Sequence, residues 1–319
     1  MTDVNSGLAS RPNNRNPRLE NFNFTFKLFF KNKIAFFGFV IVLIYVAITI
    51  LDFTYPKYLG TASGSINSLL DFTSPSHLGS SQPPNFSKGW WYFLGTTTYN
   101  QYAIFPAMLA ALKIDIPISF EVVFLGAVIG VIVGTTSGFI GGAIDEVVMR
   151  VTDVFFSVPF IVLVIAFIVV LSNILPGFEP FLLALIIVWW PIYARVTRGQ
   201  ALSIKSQKFI EAAVASGASR VRNIFVHVLP NVLAPVFVQI SLDLGTIVLI
   251  FSTLFYLGFS EFSPNLPELG NIMVLGINSF STGAWWTLVI PGLFLLLFTI
   301  SVNLMGDGLR DVLDPKIRR

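Results

Sequence analysis

The sequence predicts an all-α membrane protein with six transmembrane helices. Only 12% of its residues are charged and 54% are apolar, whereas soluble domains carry about 25% charged residues. Several apolar runs reach the ~20 residues that a helix needs to cross a hydrocarbon core. These runs lack the period-two alternation of strands, and lipid offers no water to an unpaired backbone, so helices are the expected solution.

The elements follow in order. The first 33 residues form a polar, Asn- and Arg-rich tail without a short apolar core and small-residue cleavage site, so the first apolar segment is expected to stay as a helix. That segment is the first span, Ile34 to Tyr55. A long connection from Asp52 to Asp115 is rich in Ser, Thr, Pro, Gly and aromatics, with Trp90, Trp91 and Tyr92 suited to an interfacial anchor. Within it Asn85-Phe86-Ser87 matches the N-glycosylation pattern, which has meaning only in a host that modifies its cell surface. The second span, Pro117 to Ile140, carries Gly126, Gly130, Gly134 and Gly138 along one helical face, a pattern for close helix packing. The third runs from Val147 to Leu171, and the fourth and shortest from Pro180 to Ala194. The fifth covers Val232 to Phe259 and the sixth Trp285 to Met305.

Lysine and arginine set the orientation, because loops kept in the cytoplasm hold most of them. Of the 20 such residues only Lys57, Lys88 and Lys113 fall on the external side, all in the long first connection. Both termini are therefore expected in the cytoplasm. The expected organisation is a cytoplasmic tail (1–33), a first helix with its external loop (34–116), a transmembrane core (117–306) with a cytoplasmic loop (195–231), and a second cytoplasmic tail (307–319).

Several chemistries are excluded. With no cysteine there is no disulfide, thiolate metal site or cysteine nucleophile. His77 and His227 are far apart with no carboxylates at ligand spacing, HExxH is absent, and no metal or catalytic residue is predicted. No lysine follows a glycine, so the chain has no P-loop for ATP. The net charge of +3 and pI near 9.1 come from the cytoplasmic flanks and call for no nucleic-acid partner. Two acids, Glu121 and Asp243, fall in or near spans. Asp243 either lines a translocation path, hydrogen-bonds a neighbouring helix or sits in an interfacial stretch. A secondary transporter or channel would need ionisable residues in several helices to couple ions, and only these two qualify.

The loop from Arg195 to Asn231 is polar yet orderly. Gln207 to Ala215 has no Pro or Gly and predicts a short helix, Gly217 breaks it, and a second helical piece runs to Val228. Lys208 and Glu211 stand one turn apart as a prospective pair, Ala212 and Ala213 keep the surface flat, and Phe209 with Ile210 form an apolar knob suited to a groove on another protein. A solvated loop helix, or one resting on lipid, is the alternative.

The series Glu211-Ala212-Ala213, Gly217, Ala218 and Leu229-Pro230 resembles the EAA motif of ABC importer permeases. Gly138 to Gly142, Asp145, Met149-Arg150, Asp153, Ser157 and Pro159 resemble the turn between the second and third helices of peptide-type permeases. Further matches are Tyr193-Ala194-Arg195, Arg198, Pro267-Glu268 and the ending from Asn303 to Pro315, which is similar to the C-type subunit of dipeptide and oligopeptide importers. The resemblance implies a type I ABC importer permease fold with a cytoplasmic coupling helix. It implies a heterodimer with a second permease subunit, two ATP-binding subunits that carry ATP and Mg, and an extracellular solute-binding protein. No cofactor is expected on this chain, and Lys208, Phe209, Glu211, Ala212, Ala213, Gly217 and Ala218 are the residues the resemblance assigns to ATPase coupling. Two departures bear on the solute. Leu94-Gly95-Thr96 is followed by Thr97-Thr98-Tyr99-Asn100 without the family's charged set, and Phe251 and Phe255 stand where a glutamate and serine are usual. An aromatic entrance without those charges favours an uncharged or sugar-like solute, and the substrate class, peptide or oligosaccharide, stays open.

Overall fold

The computed structural model describes residues 29–55, 82–85, 93–96, 103–259 and 266–313. Among these the chain is helical, with one isolated bridge between Thr96 and Ala103. The helices are α1 (Lys33–Thr54), α2 (Ile104–Ile140), α3 (Gly142–Ser157), α4 (Phe160–Leu171), α5 (Glu179–Lys205), α6 (Lys208–Ala215), α7 (Arg220–Arg222), α8 (Leu229–Tyr256), α9 (Leu269–Ser281) and α10 (Trp286–Leu313). A π-helical turn, Asn223–Val228, joins α7 to α8. Five helices are long and apolar enough to cross a membrane, and α3 with α4, bent by 96° where they meet, bring the number to six when counted as one span.

Each boundary has a local cause. Asn32 caps α1, its side-chain oxygen accepting from the Ile34 and Ala35 N–H groups at 3.2 Å. Gly141, at φ +76°, ends α2 in a conformation that side chains disfavour. Pro159 forces the residue before it out of helical backbone, and Val158 is extended (φ −103°, ψ 138°), which makes the bend.

The structure corrects several expected bounds. The second helix starts at Ile104, and Pro117 lies inside it. Lys113 is thus a helical residue rather than a loop cation, its ammonium 3.1 Å from the buried carboxylate of Asp52. The third span is broken rather than continuous, and the fourth runs on to Lys205. The connection between the fifth and sixth spans contains a further helix, α9. Trp90 to Tyr92, His77 and Thr97 to Asn100 lie outside the described residues.

The spine of the bundle is α2 against α5, the most extensive helix pair. The glycine ridge makes it possible. A Cβ on Gly130 would lie 2.4 Å from the Trp190 carbonyl oxygen, and one on Gly134 would lie 2.1 Å from that of Ala194. The backbones therefore touch, and Thr197 Oγ1 donates across the gap to the Gly130 carbonyl at 3.3 Å. Phe251 and Phe255, expected at an aromatic entrance, are instead core residues, with the Phe181 ring edge-on to Phe251 and tilted against Phe255.

Candidate functional site

The site is built where α5 ends and α8 begins. Of the eight residues of α6 only Ile210 is buried. It sits with Phe139 of α2, Ala201 of α5, Ile224 and Val228 of the π turn, and Val232 of α8. A single apolar peg thus seats the helix on the bundle, and the rest of its surface is left outward. Lys208, Glu211 and Ala212 are exposed, Ala213 is half-buried, and Phe209 is 47% exposed. The joint knob expected of Phe209 and Ile210 is therefore divided, one residue anchoring and the other projecting, because adjacent helical residues face about 100° apart. Lys208 and Glu211 form no ion pair among the described residues. Two hydrated charges gain little by pairing.

The end of α6 is a Schellman motif. The Ala218 N–H donates to the Ala213 carbonyl at 3.0 Å and the Gly217 N–H to that of Val214 at 2.9 Å. Gly217 has φ +81° and open space where a Cβ would stand, so its requirement is conformational rather than steric. Ser219 then caps α7 by accepting from the Arg222 N–H, and buried Asn223 donates to the Ala218 carbonyl. The exit from α6 is thus held by hydrogen bonds on both sides of Gly217.

At the same end two arginines of α5 reach α3. Arg198 holds Asp145 with a two-point fork, Nε to Oδ1 at 2.6 Å and Nη2 to Oδ2 at 2.7 Å. Arg195 pairs with Asp153 and lies 4.1 Å over the Phe156 ring.

Asp243 is far from α6, inside the bundle and 3% exposed. It accepts from Trp189 Nε1 of α5 at 2.8 Å and from Gln239 at 2.7 Å, so it ties α8 to α5. Trp189 also lines a cavity of about 660 Å³ at the α3–α4 corner, with Phe155, Phe156, Pro159 and Phe160. Glu121 lies on an exposed face of α2.

A family model described as binding-protein-dependent transport system inner membrane component matches residues 126–319. A dipeptide transport system permease protein from Alkalihalophilus pseudofirmus is 32% identical over 293 residues, which is 92% of this chain and 89% of the relative. The chain belongs to this family of inner membrane permeases. An oligopeptide transport system permease protein of Bacillus subtilis is 32% identical over 291 residues, covering 91% of this permease and 88% of the relative. A probable D,D-dipeptide transport system permease protein of Escherichia coli is 39% identical over 170 residues, 53% of this permease and 55% of its own length. The permease is accordingly a multi-pass membrane protein with the type I ABC importer permease fold.

At the opposite end of the permease lies a polar cluster whose joint role the sequence does not announce. Glu268, fully buried, caps α9 by accepting from the Asn271 N–H at 2.9 Å, and Ser252 of α8 donates to its other oxygen. Buried Asp115 of α2 accepts from the Leu269 N–H at 3.4 Å. Two carboxylates thus meet the positive end of one helix. Burial pushes the Glu268 carboxyl above its ordinary range, against hydrogen bonds from Ser252, Gly270 and Asn271 that pull it down. The one available signal was an acid directly before a helical stretch, the pattern of an N-cap.

Proposed function

We propose that this permease is one of two membrane-spanning subunits of an ATP-driven peptide importer, with α6 as the element that engages an ATPase subunit. The observation that carries the reading is the seating of α6. It is held by one buried peg, its C-terminal end is closed by a Schellman motif, and it offers Phe209, Lys208, Glu211 and a flat Ala212-Ala213 surface outward. A helix displayed in this way fits a groove on a partner. Gly217 and Ala218 fix its exit. ATP and Mg belong to two partner ATPases, since this chain has no P-loop. The strong bias of Lys and Arg supports termini and α6 in the cytoplasm, with an external binding protein delivering solute to the opposite end. Alternating access then follows from ATPase closure pushing on α6.

Peptide is favoured over oligosaccharide for two reasons. The relatives are named for dipeptides and oligopeptides, and the aromatics that suggested a sugar-like entrance are core residues. Asp243 enters as a buried carboxyl group behind the pathway wall, bonded to the Trp189 that lines the corner cavity.

The test is assembly and uptake. The permease is coexpressed with its partner permease and ATPases and reconstituted with the binding protein. Dialanine, trialanine and maltotriose are then offered. Peptide uptake that Phe209→Asp and Glu211→Lys abolish, with loss of ATPase copurification, is the expected result. Full ATP-driven uptake by both variants would remove α6 from the coupling role, and uptake of maltotriose alone would overturn the peptide assignment.

A further inference from the structure

The α3–α4 span is the loosest part of the bundle. Only Thr152 of α3 and Val164 and Ile168 of α4 are buried, so little apolar packing dictates where α3 lies. Its attachment to α5 combines two ion pairs with an edge-to-face contact of Phe155 on Trp190. Arg198 forks onto Asp145 near the start of α3, and Arg195 reaches Asp153 two turns further on. Both arginines sit on the last turns of α5, the helix that leads through Ser206 and Gln207 into α6. They are held close because Gly138 lets α5 lie on α2, a Cβ there meeting the Arg198 backbone oxygen at 2.9 Å. At its far end α3 turns through 96° into α4, and that corner walls the aromatic cavity with Trp189 of α5.

We infer that Arg198–Asp145, with Arg195–Asp153 beside it, is a clamp that makes α3 follow the coupling helix, so that displacement of α6 is converted into movement of the α3–α4 corner at the cavity. The four residues are positioning residues, acting through the helices they join. This rests on the reading of α6 as the ATPase-coupling element. A charge clamp suits the task. The recess it lines, about 410 Å³, also holds Glu146, Met149 and Arg150, so the pins border polar surface and can shift without an apolar core being broken. The fork of Arg198 adds direction that a point charge lacks, since two parallel bonds fix the angle between the helices.

The test uses the assembled importer in liposomes and exploits the absence of cysteine from the chain. Spin labels at Val147→Cys on α3 and Ile44→Cys on α1, both on exposed positions, report the distance of α3 from the bundle with and without ATP. In the otherwise unaltered permease the distance changes with ATP. Arg198→Asp and Asp145→Arg each abolish the change and lower dialanine uptake about tenfold, a common size for a coupling between sites, while the ATPases still copurify. The exchanged pair Arg198→Asp with Asp145→Arg restores both readouts, which a general folding defect would not allow. Arg198→Lys falls between, keeping charge but losing the fork. ATP-dependent label movement and uptake indifferent to both single reversals would overturn the clamp alone. A permease that never binds the ATPases, unaltered chain included, would overturn the reading beneath it.

Discussion

The two ends of the bundle are fastened by opposite means. At the Glu268 end, Asp115 and Glu268 are at most 1% exposed and are spent on backbone N–H groups and Ser252. At the α6 end, the side chains of Asp153 and Arg195 are 67% and 48% exposed, while those of Asp145 and Arg198, joined by the fork, are 14% and 33% exposed. Dehydrated hydrogen bonds are costly to break because each leaves a buried group unsatisfied, whereas hydrated ion pairs exchange readily with water. The Glu268 end is thus held by bonds that are costly to break, and the α6 end by pairs that border water.

The contrast assumes that both ends ride on one spine, so the largest effect comes from breaking it. Gly134→Leu drives a side chain into the Ala194 backbone and is expected to cost more than about 4 kcal/mol. Size-exclusion chromatography in detergent would show loss of the monodisperse permease. Next, Glu268→Ala removes the α9 cap and strands Ser252 and the Asn271 N–H, with an expected loss of about 3 kcal/mol. Thermal unfolding in detergent measures it, and an unchanged midpoint would dissolve the contrast between the ends. Gly217→Val imposes left-handed backbone on a β-branched residue at about 1–2 kcal/mol. This is expected to loosen ATPase copurification with little change in bundle stability. Smallest is Asp153→Asn, within about 0.5 kcal/mol of the parent. Raising salt is expected to mimic it at the α6 end and leave the Glu268 end untouched.

Much of this was legible in the sequence because it depends on consecutive residues. Hydropathy located the apolar segments, though not the break at Pro159 or the start of the second helix, the Pro- and Gly-free stretch before Gly217 located α6, and the four-residue glycine period marked the face that meets α5. Other features were hidden for definable reasons. Ile210 and Phe209 are neighbours of equal hydrophobicity, and only the cluster of Phe139, Ile224 and Val232 decides which is the peg. Phe251 and Phe255 read as an entrance until Phe181 packs on them. Helix α9 was hidden because part of its N-terminal support comes from Asp115 and Ser252, distant in the chain.

By itself, then, the sequence determined the solvent, the apolar spans, the short helix α6 and the lopsided placement of positive charge, all consequences of composition and local period. The tertiary structure alone decided the 96° corner, the peg, the buried cap at Glu268 and the choice of Asp145 for Arg198. Those last partners stand 53 residues apart, and such pairings follow from how closely two helix backbones can approach, which no short window of residues contains.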